Sequence, residues 1–164
     1  MPRLYLSPPD VGSAEVEFVL EAFESSWVAP IAPQLYAFER EFAEVVGSRN
    51  AVGVSSGTDA ILLALMAANI GPGDEVIVSP WTMSASATAI LHWNAIPVFA
   101  DIETETFNLD PASVERNISD QTRAIMSVDI AGHSADMDAL RNIADKHNLK
   151  IISDTAQAPG AKYK

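Results

Sequence analysis

No cysteine occurs in the 164 residues. That excludes disulfides, thiolate catalysis and cysteine-ligated zinc. Histidine is scarce, and His92, His133 and His147 are scattered without metal-ligand spacing. Positive charge is scarce too: 10 basic against 22 acidic residues give a formal charge of -12, with no basic cluster. A surface this acidic repels phosphate backbones, so nucleic acid is not an expected partner. No apolar run approaches the roughly 20 residues that cross a bilayer. The opening MPRLYLSPPD lacks an apolar segment followed by a cleavage site, so a soluble, cytoplasmic protein with no membrane partner is the expectation. There is no GxxxxGK[ST] and no GxGxxG, hence no sign of a P-loop or a dinucleotide fingerprint.

What is present is enough apolar residue, 48%, for the core of one ordinary domain. Residues 1–50 read as a helical segment. Val16, Val19, Leu20 and Phe23 recur at helix spacing, as do Leu35, Phe38 and Phe42, with a proline-bearing loop at SSWVAPIAPQ. Residues 51–164 alternate short β-rich runs with helical stretches. Strands are expected at 51–54, 75–79, 97–100, 124–128 and 150–153, each apolar on both faces. Helices are expected at about 58–69, 83–93, 111–117 and 135–147, with Asp110 and Ser134 as N-caps and Pro111 in a first turn. The alternation predicts an α/β fold with a mainly parallel sheet covered by helices.

In such a sheet chemistry gathers beyond the carboxyl ends of the strands. SSGTDA at 55–60 follows the first expected strand. Gly57 there permits close backbone approach, the helix N-terminus attracts phosphate, and Ser56 and Thr58 offer hydroxyls; a plain turn is the alternative. Asp154 in SDTAQA can pair with a cationic ring nitrogen or a metal, with Gln157 as a nearby hydrogen-bonding group, or it can cap a short helix at 155–158. Trp81 can stack on a planar cofactor or pack in the core. Trp27 and Trp93 read as packing residues. His133 reads as a surface loop residue, Asp101 as a residue that holds its loop, and His147 as half-buried beside the stripe Met137, Leu140 and Ala144.

Six blocks in order carry a resemblance: FEREFAEVVG at 38–47, SSGTDAILLAL at 55–65, GPGDEVIVSPWT at 71–82, IPVFADIETETFNLDP at 96–111, QTRAIMSVDIAG at 121–132 and ADMDALRNIADKHNLKIISDTAQAPGAKY at 135–163. Together the sequence resembles the DegT/DnrJ/EryC1/StrS family of pyridoxal-phosphate-dependent sugar aminotransferases. The resemblance implies the large domain of a fold-type I, aspartate-aminotransferase-like enzyme, truncated before its small C-terminal domain. It implies that Gly57 and Thr58 bind the cofactor phosphate, that Trp81 stacks on the pyridine ring, that Asp154 pairs with the ring nitrogen, and that Gln157 bonds near the phenolic oxygen. It implies transfer of an amino group, from glutamate, to a nucleotide-linked keto-sugar in a homodimer. Two departures stand out. Asp129 occupies a position commonly held by histidine, and the Schiff-base lysine of the family falls in a segment beyond these residues. Lys162 and Lys164 follow Asp154 too closely to match it, and Lys146 and Lys150 read as solvated charges. An incomplete sheet would leave an exposed edge and uncovered apolar helices that favour association. A catalytically inactive fragment or subunit that retains the fold and a cofactor-dependent sugar dehydratase are the alternatives to transamination.

Overall fold

The structure is a computed structural model that describes residues 9–164. The chain divides into two compact units at Gly53/Val54. Among the described residues, the first holds two helices, α1 (Ser13–Glu24) and α2 (Pro33–Val46). Pro33 sits in the first turn of α2, where its missing N–H costs nothing, and Gly47 ends the helix at φ 67°. The apolar stripe of α1 is uncovered: none of its residues is buried, and Val16, Leu20 and Phe23 stand exposed. Trp27, expected to pack, is likewise exposed.

The second unit contains α3 (Gly57–Ala67), β1 (Glu75–Val78), α4 (Ser84–His92), β2 (Ile96–Phe99), α5 (Pro111–Arg116), β3 (Thr122–Val128), α6 (Met137–His147) and β4 (Lys150–Asp154). The four strands form one parallel sheet in the order β2-β1-β3-β4. Alternate side chains enter two cores. Val76, Val78, Ala124 and Met126 pack with Ile61, Leu65 and Ile90 of α3 and α4. Ile77 and Ile125 pack on the opposite face with Val114 of α5 and Leu140 of α6. Trp93 packs against the first core and donates its indole N–H to the Ile70 carbonyl at 2.6 Å, as a packing residue should.

Three expectations need correction. AVGV at 51–54 is not a strand: no strand lies beside it among the described residues, and the Gly53 N–H goes to Glu39 Oε1 at 2.8 Å instead of to a ladder. Only the central strands are covered on both faces; β2 and β4 are edges, with Ile96, Phe99 and Ser153 exposed. The cap of α6 is Asp136, not Ser134, because Asp136 Oδ1 accepts the Ala139 N–H at 3.1 Å, while the Ala135 N–H turns inward to Asp129 Oδ1 at 3.0 Å. Asp110 caps α5 as expected, accepting from Ala112 and Ser113.

The Asp136 cap is sensitive to acid. The backbone N–H of Ala139 first, then the hydroxyl of Tyr163, favour its charged form and hold its pKa below the ordinary carboxylate value. A depressed folded-state pKa adds stability above the unfolded value, about pH 4, and that stability fades as pH falls through the folded value. Protection of the first-turn amides of α6, measured against their intrinsic exchange rate at each pH, should therefore fall below about pH 4. In Asp136→Asn that protection should be the same on both sides of that pH; an unchanged acid response in this variant would show that Asp136 is not the group that titrates.

Candidate functional site

Winding sets the location. From β1 the chain crosses through α4 to β2 on one side, whereas from β3 it crosses through α6 to β4 on the other. The reversal falls between β1 and β3, and in open parallel sheets the crevice beyond the carboxyl ends at such a point is where ligands bind. Ser79, Pro80 and Trp81 follow β1, Asp129 follows β3, and Asp154 ends β4.

Asp154 is partly buried and held at both oxygens. Oδ2 accepts from Ser86 Oγ at 2.9 Å, and Oδ1 accepts from the Ala156 N–H at 3.2 Å. Residues 155–158 form turns, so the helix that Asp154 was an alternative cap for does not exist. Ser86 is fully buried in the first turn of α4, and its oxygen lies 2.9 Å from Thr82 Oγ1. With the single Ser86 proton committed to Asp154, Thr82 is the donor to Ser86. A two-hydroxyl chain thus ties the loop after β1 to the end of β4.

Gln157 is exposed and accepts the Ala131 N–H at Oε1, 2.8 Å away. Its side-chain amide nitrogen has no protein partner among the described residues. That bond fixes the loop after β3, where Ala131 has φ 52°. Asp129 is buried; its backbone N–H donates to the Asp154 carbonyl at 3.0 Å, while its carboxylate holds Ala135. Asp129 therefore serves the loop from inside.

At α3, Ser56 is the N-cap. Its oxygen accepts the Asp59 N–H at 3.2 Å, and its proton goes to Asp59 Oδ2 at 2.9 Å. Ser55 also donates to Asp59, and the hydroxyls of Ser55 first and Ser56 second lower the Asp59 pKa. The Gly57 and Thr58 backbone N–H groups have no protein partner among the described residues. A Cβ on Gly57 would meet no atom within 4 Å, so its surroundings are open.

Trp81 is 56% exposed, which rules out the core alternative. Its backbone N–H donates to Ser79 Oγ at 3.0 Å, and its ring lies against Phe107, with centroids 6.1 Å apart at 34°. Asp101 contributes through its backbone: its N–H donates to Ser113 Oγ at 2.9 Å and its carbonyl accepts from Asp110. His133 is exposed beside Asn108, and His147 faces Glu115 with its side chain 31% exposed. Lys146 pairs with Glu115 and Lys164 with Asp138. No cluster of three or more potential metal ligands occurs among the described residues, and none of their helices is long and apolar enough to cross a membrane.

Sequence reasoning passed over Ser86, Phe107 and Asn108. Asn108 is 2% exposed; its Nδ2 donates to the carbonyls of His133 and Ser134 at 3.0 and 3.2 Å, and its Oδ1 accepts the Ile130 N–H at 3.3 Å. The available signal was a lone amide between the apolar residues Phe107 and Leu109, unusual unless it is buried with partners.

Residues 9–164 match the family described as the DegT/DnrJ/EryC1/StrS aminotransferase family, and the chain belongs to it. Spore coat polysaccharide biosynthesis protein SpsC of Bacillus subtilis (strain 168) is 45% identical over 158 residues, 96% of this chain and 40% of that protein. GDP-perosamine synthase of Caulobacter vibrioides is 40% identical over 164 residues, 100% of this chain and 44% of that protein. NtdA of Bacillus subtilis with bound cofactor PMP has a similar structure, with a TM-score of 0.83 and 35% identity over 92% of this chain and 35% of that one. The chain spans about two fifths of the length of the curated relatives it matches. The α/β, mainly parallel architecture is that of the large domain of fold-type I enzymes.

Asn108→Ala should leave the Ile130 N–H and the His133 carbonyl without these partners, at a cost of about 1–3 kcal/mol. Hydrogen exchange should rise selectively at residues 130–135 before the sheet loses protection. Uniform loss across the sheet would mean that Asn108 supports the fold as a whole and not this loop.

Proposed function

We propose that this chain is the cofactor-holding portion of a pyridoxal-phosphate-dependent transaminase that aminates a nucleotide-linked keto-sugar, with glutamate as the amino donor. The observation that carries the reading is Asp154, fixed at both oxygens on the carboxyl edge of a parallel sheet, in a chain that belongs to an aminotransferase family. The residues suit the cofactor. Unpartnered N–H groups at Gly57 and Thr58, at the positive end of α3, suit a phosphate, and the open space above Gly57 leaves room for it. Trp81 offers an indole face to a planar ring, and the free amide of Gln157 suits a phenolic oxygen.

Bound there, the cofactor supplies an electron sink for proton removal beside the amino nitrogen. This chain's own part is positional and electrostatic. Asp154 stabilises positive charge on the ring nitrogen, Ser86 and Ala156 keep it aimed, and α3 anchors the phosphate. Ser56 acts as the cap that shapes the α3 terminus, since its proton is committed to Asp59. The family resemblance assigns the lysine that bonds the cofactor to a segment outside these residues; Lys146 and Lys164 are held in ion pairs here, Lys150 starts β4 at the opposite end from Asp154, and Lys162 follows Asp154 too closely to match it. The nucleotide-sugar reading draws on the relative that makes GDP-perosamine. Uncovered apolar residues on α1 support a second copy as partner, as a homodimer.

Calorimetric titration with pyridoxamine 5'-phosphate, which needs no lysine, tests the site directly. The chain should bind it, and Asp154→Ala and Gly57→Val should each weaken binding at least about tenfold, the Val side chain entering space that is empty of protein. In the gene product that carries this segment, borohydride reduction with pyridoxal phosphate should label one lysine outside these residues, and nitrogen from labelled glutamate should appear in the sugar product. Absence of binding, or nitrogen retained in glutamate while the sugar is dehydrated, would overturn the reading.

A further inference from the structure

We propose that Phe107 is a positioning residue for Trp81, braced in an unfavourable backbone conformation so that the indole is held ready for a planar ligand; this rests on the cofactor reading above. Phe107 has φ 60°, a region that bulky L-residues avoid and glycine enters freely. Its neighbours impose it. Ile102 and Leu109 form an antiparallel bridge, the Glu103 N–H donates to the Asn108 carbonyl at 2.8 Å, and the Phe107 N–H donates to the Glu103 carbonyl at 3.0 Å. Thr106 Oγ1 donates to Glu103 Oε2 at 2.7 Å and accepts from the Asn108 N–H at 3.2 Å. Asn108 and Leu109, both almost wholly buried, then clamp the far side of the loop.

Core packing does not account for the arrangement. The Phe107 side chain is half exposed and belongs to neither core, and its aromatic partner is Trp81. Trp81 is fixed at its backbone by Ser79 and is otherwise mostly exposed. An indole free to swing must be ordered each time a ligand binds, whereas a braced one has already lost that freedom. Strain retained where it buries little, against a side chain at the ligand-facing edge, marks a functional constraint.

The test uses the chain labelled with 5-fluorotryptophan, with the Trp81 resonance assigned through Trp81→Phe. In Phe107→Gly the Trp81 fluorine resonance should shift and narrow, and the dissociation constant for pyridoxamine 5'-phosphate should rise roughly three- to tenfold. The thermal midpoint should not fall, because glycine accepts φ 60° without strain. Phe107→Tyr should restore both the resonance and the affinity. An unmoved Trp81 resonance or an unchanged affinity in Phe107→Gly overturns this inference alone. A lowered midpoint with an unmoved resonance makes Phe107 a packing residue and also overturns it. Absence of binding by the unsubstituted chain overturns the cofactor reading, and this inference with it.

Discussion

The parallel direction of all four strands is the constraint on which the rest of the molecule depends. A parallel strand cannot return through a hairpin, so each connection must cross a face of the sheet and bury a helix there. This is why Val76 and Ile77, adjacent in sequence, enter two different cores. It is also why Trp81, Asp129 and Asp154, tens of residues apart, reach one edge. The winding reverses between β1 and β3, and in open parallel sheets that is the point at which topology alone sets a place for a ligand, before any side chain is chosen.

Side chains then hold this edge to shape by linking its loops to one another. Ser86 joins the loop after β1 to Asp154, Gln157 joins the loop after β4 to Ala131, and Asn108 joins the loop after β2 to residues 130–134. Each link spans different connections, so shifting any one of these loops strains a hydrogen bond to the next. Buried polar groups partnered as Ser86 and Asn108 are impose geometry more than they add stability. Asp129 illustrates the trade. Its buried carboxylate caps the Ala135 N–H, and α6 starts beyond Ser134.

The legible part of this architecture was the part written in local pattern. β1 and β3 announced themselves as apolar runs because both faces are covered, and Asp110 was readable as a cap because its partners lie two and three residues away. AVGV at 51–54 has the same composition as a strand and is not one, since composition cannot supply a neighbour to pair with. Asp154 was legible because a charge directly after an apolar strand is conspicuous. Ser86 was not: one small hydroxyl residue among alanines looks like any other until its bond across 68 residues is seen. Ser134 and Asp136 are equally able caps in isolation, and the choice between them was made by Asp129, which no local reading consults.

Phe107 marks the limit of local reading most clearly. Propensity gives a phenylalanine an extended or helical backbone, and neither would set its ring beside Trp81 in the way φ 60° does here. The conformation is dictated by buried Asn108 and Leu109 on one side and by Glu103 on the other, so its cause lies in the flanking residues and its effect in a different loop. A left-handed residue of this size costs on the order of 1–2 kcal/mol. The same backbone with glycine would avoid that cost and lose the ring. The cost is tolerable because the bridge at Ile102 and Leu109 and the second core anchor both ends of the loop independently. Strain can persist only where well-packed elements leave the chain no cheaper path, and a loop pinned at both ends against buried Ala100 and Leu109 is such a place.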